Sequence, residues 1–96
     1  MRIEWHVDAI KDLKSISTGD QRCIKKVIDE LVTLDDPRQR LVPYSGNLKG
    51  FWKLRVGSFR LICQIREQDG VFVLIVRVAH RSTIYDLRGV EEIKKR

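Results

Sequence analysis

The segment Asn47 to Arg60, NLKGFWKLRVGSFR, sets Lys53, Arg55 and Arg60 on what reads as a tight β-hairpin. A second cationic run, His80-Arg81, closes the strand that follows, with Tyr85 shortly after it. Cations with a histidine and a tyrosine on one small sheet have the equipment to hold a phosphodiester and to move protons around it.

Strand alternation decides which of these side chains act together, because residues two apart share a sheet face. Phe51, Lys53 and Arg55 fall on one face, and Trp52, Leu54 and Val56 on the other. In the next strand Phe59, Leu61, Cys63 and Ile65 form an apolar face, while Arg60, Gln64 and Arg66 point away. If both apolar faces meet covering helices, Lys53, Arg55 and Arg60 project together as a concave cationic surface.

The elements that must position them follow from periodicity. Met1 to Val7 alternates weakly, as a first strand does, with Ile3, Trp5 and Val7 on one side. A short helix is expected with Asp8 as its N-cap and Ile10 and Leu13 turned inward. Between Asp20 and Leu34, Cys23, Ile24, Val27, Ile28, Leu31 and Val32 recur at helical spacing until Asp35-Asp36-Pro37 stops the run. Residues 38–50 hold Pro43, Gly46 and Gly50 without a period and read as a loop. Three strands follow at about 51–56, 59–66 and 71–79, joined through Val56-Gly57-Ser58 and Gln68-Asp69-Gly70. The last is nearly continuously apolar, as expected of a strand covered on both faces. The expected fold is α+β, ordered β-α-α-β-β-β, with two N-terminal helices packed on a mainly antiparallel twisted sheet and a short C-terminal segment. Residues 1–96 are expected to form a single domain with one core.

Composition narrows the function classes. The chain is 43% hydrophobic and 33% charged, ordinary globular proportions. It has no apolar run of the roughly 18 residues a membrane span needs and no secretory leader pattern at MRIEWHVDAIKD, so a cytoplasmic location without membrane partners is expected. Cys23 and Cys63 each sit at an apolar position of their segment and are expected to be buried reduced thiols. The other soft ligands, His6 and His80, have no paired spacing, so neither a metal nor another cofactor is expected. The net charge of +6 is uneven: residues 49–81 carry Lys49, Lys53, Arg55, Arg60, Arg66, Arg77 and Arg81 against only Glu67 and Asp69, whereas residues 1–48 balance to zero. That surface suits a polyanion or an acidic partner, although a basic face can also serve solubility alone.

The pattern GNLKGFWKLRVGSFRLI at 46–62, with VAHRSTIY at 78–85 and the element order, resembles the RelE/ParE superfamily of toxin-antitoxin toxins across nearly the whole chain. The His-Arg ending followed by tyrosine is more similar to the RelE branch, whose members cut messenger RNA in the ribosomal decoding site, than to the ParE branch, which poisons DNA gyrase. The resemblance implies that Lys53 and Arg55 take the two cationic strand positions and Arg60 the arginine opening the next strand. It further matches Arg81 to the arginine after the last strand and Tyr85 to the C-terminal tyrosine, with His80 or Arg81 nearest the phosphate. Lys49, Phe51, Arg66, Lys94 and Lys95 become the candidates for contacts with RNA or the ribosome.

Metal-free RNA cleavage needs a 2′-hydroxyl deprotonated, charge on the phosphoryl oxygens stabilised and the leaving 5′-oxygen protonated. Arginine stays protonated, so Arg55, Arg60 and Arg81 are assigned to phosphate and transition-state charge. The proton carriers are Tyr85 or His80 as acid, and as base His80 or Lys53, a lysine whose pKa neighbouring cations would lower. Structural roles compete with each: Tyr85 packing its ring on the sheet, His80 as a surface histidine, Phe51 packing rather than stacking a base. The resemblance implies as partners an acidic cognate antitoxin, the 70S ribosome with mRNA, and operator DNA through the antitoxin complex. Gyrase inhibition without chemistry and an inactive antitoxin-binding or operator-binding relative are the other functions in view.

Overall fold

The computed structural model describes residues 1–82. The chain runs β1 (Arg2–Trp5), α1 (Val7–Lys14), α2 (Thr18–Val32), β2 (Val42–Pro43), β3 (Trp52–Val56), β4 (Phe59–Glu67) and β5 (Val71–His80), with 3-10 turns at Pro37–Gln39 and Gly46–Leu48. The five strands form one sheet in the order β1-β5-β4-β3-β2. β1 pairs β5 in parallel; the other pairings are antiparallel. Two helices on a mainly antiparallel sheet are as the alternation and periodicity predict. The short edge strand β2 lies in the expected loop, its two residues being too few for any period.

Both helix starts differ from expectation, the first in the residue that caps it and the second in where it begins. His6, not Asp8, caps α1: its Nδ1 accepts the Asp8 amide at 3.1 Å, and Asp8 lies in the first turn, where a carboxylate favours the helix dipole. Ser17 caps α2 by accepting the Asp20 amide at 3.1 Å, so the helix begins two residues before Asp20. Gln21 of α2 reaches back to the Leu13 and Ile16 carbonyls at 2.9 and 3.2 Å, tying the end of α1 to the start of α2.

The core lies between helices and sheet. Ala9, Ile24, Ile28 and Leu31 meet Leu54, Val56, Leu61, Cys63, Val73, Ile75 and Val78, with Trp5, Trp52, Phe59 and Ile65 partly buried around them. A smaller cluster covers the opposite sheet face, where Leu48 and Phe51 fold over Ile62, Val76 and Ala79 beside Tyr44 and Leu74. β5 is therefore buried on both faces, which explains its unbroken apolar run. Burying one such leucine, isoleucine or phenylalanine side chain is worth about 1.5–3 kcal/mol, so the two clusters hold the sheet rigid beneath whatever it displays. Cys63 is buried as expected, and burial pushes its thiol pKa up; Cys23 is exposed, because the apolar stripe of α2 is narrower than the period suggested.

β5 contains a bulge. Cys63 pairs with Ile75 but Ile62 pairs with Arg77, so Val76 is an extra residue on β5. The alternation resets there: Val73 and Ile75 face the helices before it, and Val78 faces them after it.

Candidate functional site

Gly57 and Ser58 form the two-residue turn of the β3-β4 hairpin, with Val56 paired to Phe59. Gly57 has φ +56 and Ser58 a negative φ, the pattern of a type II′ turn matched to strand twist. Leu54 and Val56 go into the helix-side core, so Lys53 and Arg55 face the other way. Arg60 pairs directly with Arg55 and Lys53 with Ile62, which brings the three expected cations to one end of one sheet face. Glu67 is the only acidic residue on β3, β4 or β5, and it shares the parity of Leu61 and Cys63 on the helix side.

Within that group the three cations are held differently. Arg55 is exposed. Lys53 is half-buried, with Nζ 5.7 Å from the centre of the Tyr44 ring, a cation-π distance. Arg60 is folded back rather than projected: it is 8% exposed, and Nη1 donates to the carbonyls of Gly57 and Phe59, both at 2.9 Å. Two guanidiniums directly opposite repel. Folding Arg60 onto carbonyl dipoles separates the charges and leaves Arg55 as the outward cation.

His80 does not join them. It pairs with Phe59, on the helix side, and its ring meets Phe59 edge-on at 5.8 Å. Nδ1 lies 2.8 Å from Ser82 Oγ. With Asp20, Cys23, Val56, Gly57, Ser58 and Phe59, His80 lines a cleft of about 270 Å³. Cation row and histidine thus lie on opposite faces of the sheet end, separated by the hairpin turn. Arg81 is exposed and its amide donates to the Ser58 carbonyl at 2.8 Å, which ties the end of β5 to the same turn.

The outer candidates divide. Lys49 is exposed just after the Gly46–Leu48 turn. Phe51 is 1% exposed in the second cluster, so its ring packs rather than offering a face to a base. Arg66 is exposed and bonds Gln64 Oε1 at 2.9 Å, but it sits six residues along β4 from Arg60, about 20 Å away. Tyr85, Lys94 and Lys95 lie outside the described residues.

Arg77 makes a bidentate pair with Asp12 of α1, Nε to Oδ2 at 2.7 Å and Nη2 to Oδ1 at 3.0 Å. The hydrogen bonds with Asp12 raise the Arg77 pKa above the ordinary arginine value. Sequence reading singled out neither Asp12 nor Tyr44. Asp12 lies 65 residues from Arg77, and Tyr44 sits in a stretch without a period, so only an aromatic beside Pro43 hinted at it. Among the described residues no group of three or more His, Cys, Asp or Glu could hold a metal ion, and no helix is long and apolar enough to cross a membrane.

The family described as the ParE toxin of the type II toxin-antitoxin system, parDE, matches residues 3–85. No curated protein matches the chain. Among solved structures, the RelB-RelE antitoxin-toxin complex from Methanococcus jannaschii is 24% identical, with 86% of this chain and 95% of that one covered and a TM-score of 0.64. The toxin-antitoxin complex RelBE2 from Mycobacterium tuberculosis is 25% identical over 84% and 91%, TM-score 0.62. YafQ from Escherichia coli is 22% identical over 88% and 99%, TM-score 0.65.

Proposed function

The chain belongs to the ParE toxin family of type II toxin-antitoxin systems, within the RelE/ParE superfamily, and on that premise we propose that it is a toxin that cuts messenger RNA on the translating ribosome. The observation that carries this reading is the cationic end of the β3-β4 face, free of carboxylates among the described residues, where Lys53 and Arg55 stand beside a turn to which the Arg81 backbone is tied. Such a surface suits a phosphodiester and the charge that develops on it in the transition state.

Cleavage then proceeds by attack of the 2′-hydroxyl on the adjacent phosphorus, with Arg55 and Arg81 holding the phosphoryl oxygens and Arg60 bracing the turn. Lys53, on the cation face, takes the part of acceptor for the 2′-hydroxyl proton. His80, reached around the turn, or Tyr85 protonates the leaving 5′-oxygen. A site with its groups spread over two faces gains most from a partner that orients the substrate, which is the part assigned to the ribosome. Two of the solved relatives are complexes with antitoxins, which supports an acidic cognate antitoxin covering the basic face here.

Two observations favour a second reading, inhibition of DNA gyrase by contact alone: His80 and the cation row occupy opposite faces, and the matched family is the parDE one. Induction of this chain in a bacterium, with primer-extension mapping of a translated message and of the same message lacking its start codon, separates the two. Codon-phased cuts on the translated message alone are expected. Growth arrest with both messages intact would refute cleavage and turn the case to gyrase.

A further inference from the structure

Where β1 ends, α1 takes over the edge of β5. The last contact from the β1 side is the His6 amide on the Ile75 carbonyl at 2.8 Å. Immediately beyond lies the bulge at Val76, and the next free stretch of edge is met by Asp12: Oδ2 accepts the Val78 amide at 2.9 Å while the carboxylate grips Arg77 with both oxygens. The two side chains are only 18% and 19% exposed. One carboxylate thus answers the backbone donor that no strand pairs and the charge of the bulged segment.

The bulge decides which face the end of β5 presents. Continued without it, the alternation of Val73 and Ile75 would send Arg77 and Ala79 toward the helices and place Val78 and His80 on the face of Lys53 and Arg55. With it, Val78 enters the main core, Ala79 joins the second cluster, and His80 meets Phe59 above the cleft. The two registers differ by one residue, and the bulged one is the register that Asp12 bonds here.

We propose that Asp12 is a positioning residue of the site: acting through Arg77 and Val78, it selects the β5 register that places His80 on the helix side and the Arg81 amide on Ser58. The assignment of His80 and Arg81 to chemistry rests on the RNA-cleaving reading above; the register claim does not. Asp12 touches no substrate, and its effect is geometric.

The test compares wild-type protein with Asp12→Ala and Asp12→Asn by NMR, reading the Phe59-His80 ring contact and amide exchange at Val78 to Arg81, alongside message cleavage in cells. For Asp12→Ala the ring contact is expected to vanish, exchange at Val78 to accelerate tenfold or more, and cleavage to fall at least tenfold, with β3-β4 amides still protected. Asp12→Asn, which keeps an acceptor for Val78, should lose less and recover part of the cleavage, a rescue that a general loss of stability would not give. If the alanine form fails to fold, the asparagine form decides alone. An intact ring contact in the variants, or a lost contact with undiminished cleavage, overturns the proposal. If wild-type protein cuts no message, the proposed activity falls, while ring contact and exchange still decide the role of Asp12.

Discussion

Arg55 and Arg60 stand directly opposite one another across the β3-β4 hairpin, and their guanidiniums are managed in opposite ways. One is exposed; the other is folded onto the carbonyls of Gly57 and Phe59. On the proposed function the pair divides labour between substrate contact and scaffold, and substitution should separate the two roles.

Arg60→Ala is expected to lower stability by about 1–3 kcal/mol, because it removes charged hydrogen bonds to two carbonyls of the turn. Arg55→Ala should change stability by no more than about 0.5 kcal/mol and yet abolish growth arrest. Thermal unfolding and induction assays on the two variants check this. Arrest retained by Arg55→Ala would remove it from the site.

Arg81→Ala should also abolish growth arrest while leaving melting temperature and antitoxin binding near wild type. The bond to Ser58 uses the Arg81 backbone amide, which alanine keeps. Tyr85→Phe is expected to behave likewise. Full toxicity in both variants would sink the catalytic assignment.

Gly57 carries φ +56, and among the described residues, its chain neighbours aside, no atom lies within 4 Å of an added Cβ. Gly57→Ala is therefore expected to cost about 1–2 kcal/mol through backbone conformation alone, without any clash. Gly57→Asn should cost less, since asparagine tolerates the left-handed region. Urea denaturation of the two variants reads the difference.

Burial raises the Cys63 thiol pKa, and the sign of the consequence is fixed by linkage. Below the ordinary thiol value of about 8.5 both folded and unfolded states hold the proton, and the group leaves stability independent of pH. Above it the unfolded chain ionises and the folded one does not, so stability falls by up to about 1.4 kcal/mol per pH unit from this group. Cys63→Ala should be less stable near pH 7 for its cavity but should lose stability less steeply between pH 8.5 and 10. Equal slopes in paired urea titrations would exclude the effect.

The hairpin, the apolar faces of β3 and β4 and the identity of β5 were legible because periods of two and of three to four survive folding as burial. The position of His80 was not. In the run Val71 to Val76 every residue is apolar, so nothing in its pattern marks Val76 as extra, and the parity beyond it inverts unseen. The fold-back of Arg60 and the burial of Phe51 were hidden for another reason. Alternation gives the face from which a side chain leaves, not whether a long one folds back onto carbonyls or an aromatic one is roofed by a loop. The helix caps show the same limit, since a histidine imidazole serving as N-cap leaves none of the usual sequence marks.

The parallel pairing of β1 with β5 has a consequence for how the protein is made. Arg2 to Trp5, synthesised first, find their partners at Phe72 to Ile75. Until β5 has emerged β1 has no strand to pair with, and closing that contact spans most of the described chain, a topology that folds late. β1 therefore waits for β5, and the bond from the Arg81 amide to the hairpin turn can form only once that residue has followed.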